Sequence, residues 1–264
     1  MENTRPMKNY NNRYLNYLPL FILFIFLNSC SNEVPVSKEP WMEKPVSEWP
    51  ELVLTNSVEF SDTTYSNIGN AFLIETGSDT LAVTCKHIFM LFRTETNNKI
   101  DLNDNFRSWK IYPKGKAEKS LLLGSLINKN KDEETGEFNT LKVRDWIIFR
   151  LKEKSEFTPL KIRTSPLREG EIVYAVGWAF KQHTEFPSLV KMQVYKNFGV
   201  YFYVNTLTQN VDHAGRSGSP VIDKNGYLVG IVSGAEGKLG VVGGITYLNQ
   251  QLSKYNLNYN PENN

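Results

Sequence analysis

From about residue 51 onward the chain alternates short apolar runs with polar punctuation. NAFLIE from Asn70, TLAVT from Thr80, DWIIFRL from Asp145, EIVYAVGW from Glu171, VYFYV from Val200 and YLVGIVS from Tyr227 are all rich in β-branched and aromatic residues. Runs of this length bounded by polar clusters predict strands, and their steady recurrence predicts a sandwich or barrel. A helical period is sustained only in YLNQQLSKY, Tyr247 to Tyr255, so the pattern predicts a mainly β domain with one short terminal helix. The charged segment NKNKDEETGEFN, Asn128 to Asn139, reads as a solvated hairpin loop.

The first 30 residues follow a different pattern. Arg5, Lys8 and Arg13 precede the apolar run LPLFILFIFL, Leu18 to Leu27, and polar residues follow it. Ten residues fall short of the ~20 that a helix needs to cross a bilayer. The order basic, apolar, small predicts a secretory signal peptide over residues 1–29. Leu27-Asn28-Ser29-Cys30 resembles the lipobox of bacterial lipoprotein precursors, although Asn28 is an unusual occupant of its position. The resemblance implies cleavage before Cys30, lipid on that cysteine and a membrane anchor in the bacterial cell envelope, at the outer membrane or the periplasmic face. Residues 30–50, with four prolines and no sustained period, read as a lipid-anchored linker, 51–253 as the folded domain and 254–264 as a polar tail.

At 264 residues, 41% hydrophobic and 22% charged, the chain has material for one large all-β domain or two small ones packed together. Cleavage before Cys30 removes three basic residues and Glu2, which takes the formal charge from +2 to zero. With no basic stripe left, nucleic acid is not an expected partner. Cys30 and Cys85 are the only cysteines, so lipidation of the first leaves Cys85 without a partner and the fold dependent on packing. Cys85 itself reads as a packed strand-end residue. The three histidines, His87, His183 and His213, are too scattered to suggest a metal cage, and no cofactor is implied.

Candidate chemistry centres on GRSGSPV, Gly215 to Val221, between two strand-like runs. A serine hydroxyl is a weak nucleophile until a neighbouring base takes its proton, and that base needs a partner to orient it. His87 lies in TLAVTCKHIF, directly after an apolar strand, and Asp145 opens DWIIFRL. Thr84-Cys85-Lys86-His87, Asp145 before its strand and Gly215-Arg216-Ser217-Gly218-Ser219-Pro220 together resemble the motifs of trypsin/chymotrypsin-like serine peptidases. The likeness is to their disulfide-free bacterial branch, which includes glutamyl endopeptidases and HtrA-type proteases. GNAFLIE, before the histidine, resembles the G-T-G-F-x-I strand of that family, EGEIVYAVGW resembles the opening of its second barrel, and the resemblance runs from about Glu51 to Gln251. The chain order His87, Asp145, Ser217 also differs from that of α/β-hydrolases, in which the histidine comes last.

The resemblance implies two packed six-stranded antiparallel β-barrels of the chymotrypsin kind, the first over 51–154 and the second over 159–253. It implies a serine endopeptidase acting on polypeptides. Ser217 would attack, His87 would shuttle the proton and Asp145 would hold the imidazole tautomer. The N–H groups of Gly215 and Ser217 would receive the oxyanion, with Gly215 free to adopt positive φ. Arg216 stands where animal trypsins carry the aspartate that receives a new N-terminus, so activation by that route is not expected. Ser233, Gly234 and Ala235 would line the primary pocket with Val211, Asp212 and Ala214. Val232 replaces the histidine that glutamyl endopeptidases carry, so glutamate preference is not supported. Two readings of Asp212 stand: it selects a basic substrate side chain, or it pairs with Arg216 or caps its loop. His183 and His213 read as loop residues. The competing functional class is a catalytically silent, protease-like lipoprotein that binds peptides.

Overall fold

The computed structural model describes residues 37–77, 79–93 and 98–257; the expected signal peptide, Cys30 and the last residues of the polar tail lie outside them. In chain order the first strands are β1 (Leu54–Phe60), β2 (Thr64–Thr76), β3 (Asp79–Thr84), β4 (Lys99–Ile100), β5 (Phe106–Tyr112), β6 (Leu121–Leu126), β7 (Asn130–Glu134) and β8 (Ile147–Leu151). A short helix α1 (Phe138–Leu141) separates β7 from β8. Then come β9 (Ile172–Gly177), β10 (Ser188–Asn197), β11 (Tyr201–Thr206), β12 (Pro220–Asp223), β13 (Leu228–Glu236), β14 (Leu239–Gly244) and helix α2 (Ile245–Lys254). Two six-stranded barrels close in the orders β1-β2-β3-β8-β6-β5 and β10-β11-β14-β13-β12-β9, and every pairing within them is antiparallel. The chain is all-β, as the strand pattern predicted, with the two-barrel architecture that the family resemblance implied.

Alternation along the strands explains why the barrels adhere. In β9, Val173 and Ala175 face the core of the second barrel, whereas Tyr174 and Val176 face the larger core shared with the first. In β12 and β13 the same switch sends Val221 and Val229 inward, and Ile222, Leu228 and Ile231 towards the seam. A strand with period-2 side chains can bury both faces only when something packs on each, and here the other barrel does. The first barrel is filled by aromatic rings: Trp109 lies 4.9 Å from Phe149, and its indole N–H donates to the buried Asn56 at 3.0 Å. Leu160 and Ile162, in the connection after β8, bridge to Ile74 and Leu228 respectively, so this segment touches both barrels.

Two stretches differ from the sequence expectation. The proline-rich linker is laid against the body from Lys38 onward. Within it the Glu39 N–H donates to Asn225 O at 2.9 Å, and Trp41 is buried edge-on against Trp49 at 4.8 Å. Indole area removed from water outweighs the open conformations that prolines favour. The charged segment 128–139 is not simply a solvated hairpin loop. Asn130–Glu134 forms β7, paired with β4, and Glu133 turns inward to Lys86, whose ammonium would otherwise be buried without a counter-ion.

Trp41→Ala is expected to cost about 3 kcal/mol of unfolding free energy, the low end for a buried tryptophan. Urea unfolding measures this. A change within about 0.5 kcal/mol, typical of a surface residue, would mean that the segment is only a tether.

Candidate active site

Strand pairing brings His87 and Asp145 together. β3 runs antiparallel to β8 with Thr84 opposite Ile147, so residues just past the end of β3 meet residues just before the start of β8. His87 enters a 3-10 turn, Lys86–Phe92, and Asp145 is fully buried beside it. Asp145 Oδ2 lies 2.7 Å from His87 Nδ1, and Oδ1 accepts the His87 backbone N–H at 2.8 Å. With both oxygens on one residue, the carboxylate fixes the ring plane and favours a proton on Nδ1. The other nitrogen, Nε2, lies 3.7 Å from the buried Cys85 thiol. Burial opposes charging the ring, but it is outweighed by Cys85 and Asp145, which hold the His87 pKa well above the usual histidine value.

The serine lies in a loop whose backbone is tied almost completely. Asp212 O accepts from Arg216 Nε, His213 O from the Arg216 N–H, and Ala214 O from the Phe180 N–H. Gly215 O accepts from Asn70 Nδ2, Arg216 O from the Ser219 N–H, and Ser217 O from the Asn70 N–H. On the donor side, the N–H groups of Ala214, Arg216, Gly218 and Ser219 are all bonded. Among the described residues, those of Gly215 and Ser217 are not.

Two glycines make the loop possible. Gly215 has φ +82° and Gly218 φ +80°, and a Cβ at Gly218 would sit 2.0 Å from Asn70 O. Neither conformation nor space admits another residue at 218. Arg216, buried between these glycines, sends its guanidinium to Gly177 O at 3.0 Å and Ser188 Oγ at 2.5 Å. Burial lowers its pKa slightly against the pull of Asp212, and its bonded partners are neutral acceptors. Among the described residues no hydrogen bond joins the Ser217 hydroxyl to His87.

The remaining candidates are spread along the loop and β13. Val211 packs on the second core, while Asp212, His213 and Ala214 are exposed. The Asp212 carboxylate accepts the Ala214 N–H at 3.1 Å, which is a loop-capping contact. Ser233 is buried with its hydroxyl unpartnered, and Ala235 is exposed. Gly234 lies under the ring tip of Phe138, 2.7 Å from where a Cβ would be. That ring also meets His87 edge-on at 5.9 Å. His183 is exposed on the loop before β10. Asn70 and Phe138 escaped the sequence reading; the signal for Asn70 was an amide directly before the apolar run Ala71 to Ile74, whereas nothing local marks Phe138.

Residues 69–231, more than half of the chain, match the family model described as a trypsin-like peptidase domain. The chain belongs to that family. It is thus a trypsin-like serine peptidase, and the two barrels are its fold. No curated protein matches its sequence. Among solved structures, the active form of the Rv3671c protease from M. tuberculosis is similar at a TM-score of 0.54 and 16% identity, over 83% of this chain and 88% of that one. The inactive form gives 0.51 at 16% identity, over 83% and 97%. Identity this low speaks to fold alone.

For this peptidase the raised His87 pKa has two opposite consequences. The unfolded value is near 6.5, so the His87–Asp145 pair contributes its full stability below about pH 6.5 and loses it as pH rises through the folded value. The neutral imidazole, in contrast, appears only above that folded value. In NMR titration the His87 ring is expected to change protonation with a midpoint above 6.5, and Asp145→Asn should lower it. A midpoint at or below 6.5 in the wild type would contradict the assigned environment.

Proposed function

We propose that the chain is a serine endopeptidase in which Ser217 is the nucleophile, His87 the general base and Asp145 the residue that orients it. The carrying observation is the pattern of backbone bonds around Ser217: six successive carbonyls are engaged while the N–H groups of Gly215 and Ser217 have no acceptor among the described residues. Two free donors, two residues apart in an otherwise saturated loop, suit an oxygen that becomes negatively charged during reaction. Each such donor is worth ~3 kcal/mol in the transition state.

The chemistry follows from these positions. Ser217 Oγ attacks the peptide carbonyl carbon as its proton passes to His87 Nε2, and Asp145 stabilises the resulting imidazolium through Nδ1–H. Collapse of the tetrahedral intermediate expels the amine, which takes the proton from His87 and leaves an acyl-serine. Water then repeats the sequence and frees the acid. Bonds between a catalytic serine and its base commonly form or tighten only when substrate arrives.

Lipid on Cys30 would anchor the peptidase to the bacterial envelope. Because the chain packs against the body from Lys38, only residues 31–37 remain as spacer. At ~3.5 Å per residue they reach about 25 Å at most, which would hold the domain close to the membrane surface. Asp212 is better read as a loop cap than as the selector of a basic side chain, because its carboxylate is exposed and already takes the Ala214 N–H. A silent peptide-binding module is the second reading, favoured by the contact of His87 Nε2 with Cys85.

A fluorophosphonate probe and a mixed peptide library separate the two. The purified full-length chain should label and cut, and Ser217→Ala should abolish labelling and lower kcat by about 10⁶-fold. A folded wild type that neither labels nor cuts would favour the silent module.

A further inference from the structure

Behind the His87–Asp145 pair lies a buried charge cluster. Lys86 precedes His87 and its side chain is 0% exposed; Arg144 precedes Asp145. Both reach one carboxylate. Lys86 Nζ lies 3.0 and 3.1 Å from the two oxygens of Glu133, and Arg144 Nε lies 2.6 Å from Oε1. Tyr247 of α2 completes the enclosure, with its hydroxyl 3.4 Å from Lys86 Nζ. Burial pushes that phenol up to about 12, so it stays neutral. The cluster carries two positive charges and one negative.

We propose that Glu133 is a positioning residue: by holding Lys86 and Arg144 on one carboxylate, it ties the backbone neighbour of the base to the backbone neighbour of the acid. The inference rests on the reading of His87, Asp145 and Ser217 as the reacting groups. Asp145 already bonds His87 through both carboxylate oxygens, but those bonds depend on the two backbones that carry the residues staying in place. The second tie, through the residue before each of the two, holds those backbones together. It also explains why a charged residue from the β4–β7 ribbon is folded inward and why a lysine is tolerated in full burial. A displacement of about 1 Å between base and acid is enough to cost on the order of 100-fold in rate.

Asp145 and the Cys85 thiol contact His87, and Lys86, Glu133 and Arg144 form the cluster one residue away, which sets the sign of the test. Glu133→Gln keeps the shape and removes the negative charge, leaving two unbalanced cations. Adding Lys86→Met returns the cluster to its original net charge without the tie, and replacing a buried ion pair by neutral groups of similar size is usually tolerated by the fold. In the full-length chain we expect Glu133→Gln to lower kcat on the order of 100-fold with KM within about 2-fold. The His87 NMR midpoint should move to lower pH. In Lys86→Met/Glu133→Gln the midpoint should return while kcat stays low. Wild-type kcat in either variant would overturn the inference, since the tie would then not be needed. A wild type that fails to label with fluorophosphonate would instead remove the reading beneath it.

Discussion

A single buried amide holds the two barrels together where the chemistry must occur. Asn70 belongs to β2 of the first barrel. Its side chain accepts the Trp178 N–H and donates to Trp178 O and Gly215 O, each at 3.0 Å, while its own N–H donates to Ser217 O at 2.7 Å. Its carbonyl takes Thr84 Oγ1 at 2.6 Å and Asn56 Nδ2 at 3.2 Å. The network therefore runs from the core of the first barrel, through Asn56 and its bond to Trp109, to the serine loop of the second. In a dry interior a satisfied network of this kind rigidifies, and a broken one is costly. Two barrels joined only by apolar area could slide; this seam has one register.

Rigidity at that seam has a chemical purpose. The serine loop must keep two glycines at positive φ and two N–H groups unbonded, both of which are unfavourable choices for a free loop. Asn70 grips the loop from the first barrel, and Arg216 grips it from within the second by reaching Gly177 and Ser188. The Arg216 guanidinium occupies the heart of the loop with neutral acceptors around it, so the loop is held without a newly formed chain terminus. Across the cleft His87 and Asp145 are fixed with comparable care. Their electrostatics favour a charged imidazole, the form that the proposed mechanism generates when the proton arrives from serine.

Much of this was readable from the sequence. Strand periodicity carried a sandwich or barrel, because half-buried strands write their faces into the alternation of residues such as Val173, Tyr174, Ala175 and Val176; the two-barrel form came from the resemblance of the His, Asp and Ser segments to a known family. The parts that were not readable depend on single long-range contacts. Glu133 sits in a run of charges with a solvated composition, and only the buried Lys86 47 positions away gives it a purpose. Trp41 looks like part of a tether until Gly226 and Trp49 are brought beside it. Asn70 is an amide at the head of the apolar run Ala71 to Ile74, and its partners Trp178, Gly215 and Ser217 are over a hundred residues distant. Local pattern encodes which face is buried; it does not encode which polar group waits there.

The central claim is that the serine loop is preformed, with Gly215 and Ser217 N–H groups held ready by Asn70. A crystal structure of the wild-type protein carrying a phosphonate adduct tests it most directly. The account predicts phosphorus bonded to Ser217 Oγ, a phosphoryl oxygen at about 2.7–3.1 Å from both N–H groups, and the Asn70 contacts unchanged. An adduct on another residue, or a loop that must release Asn70 and rebuild itself around the phosphonate, would contradict it.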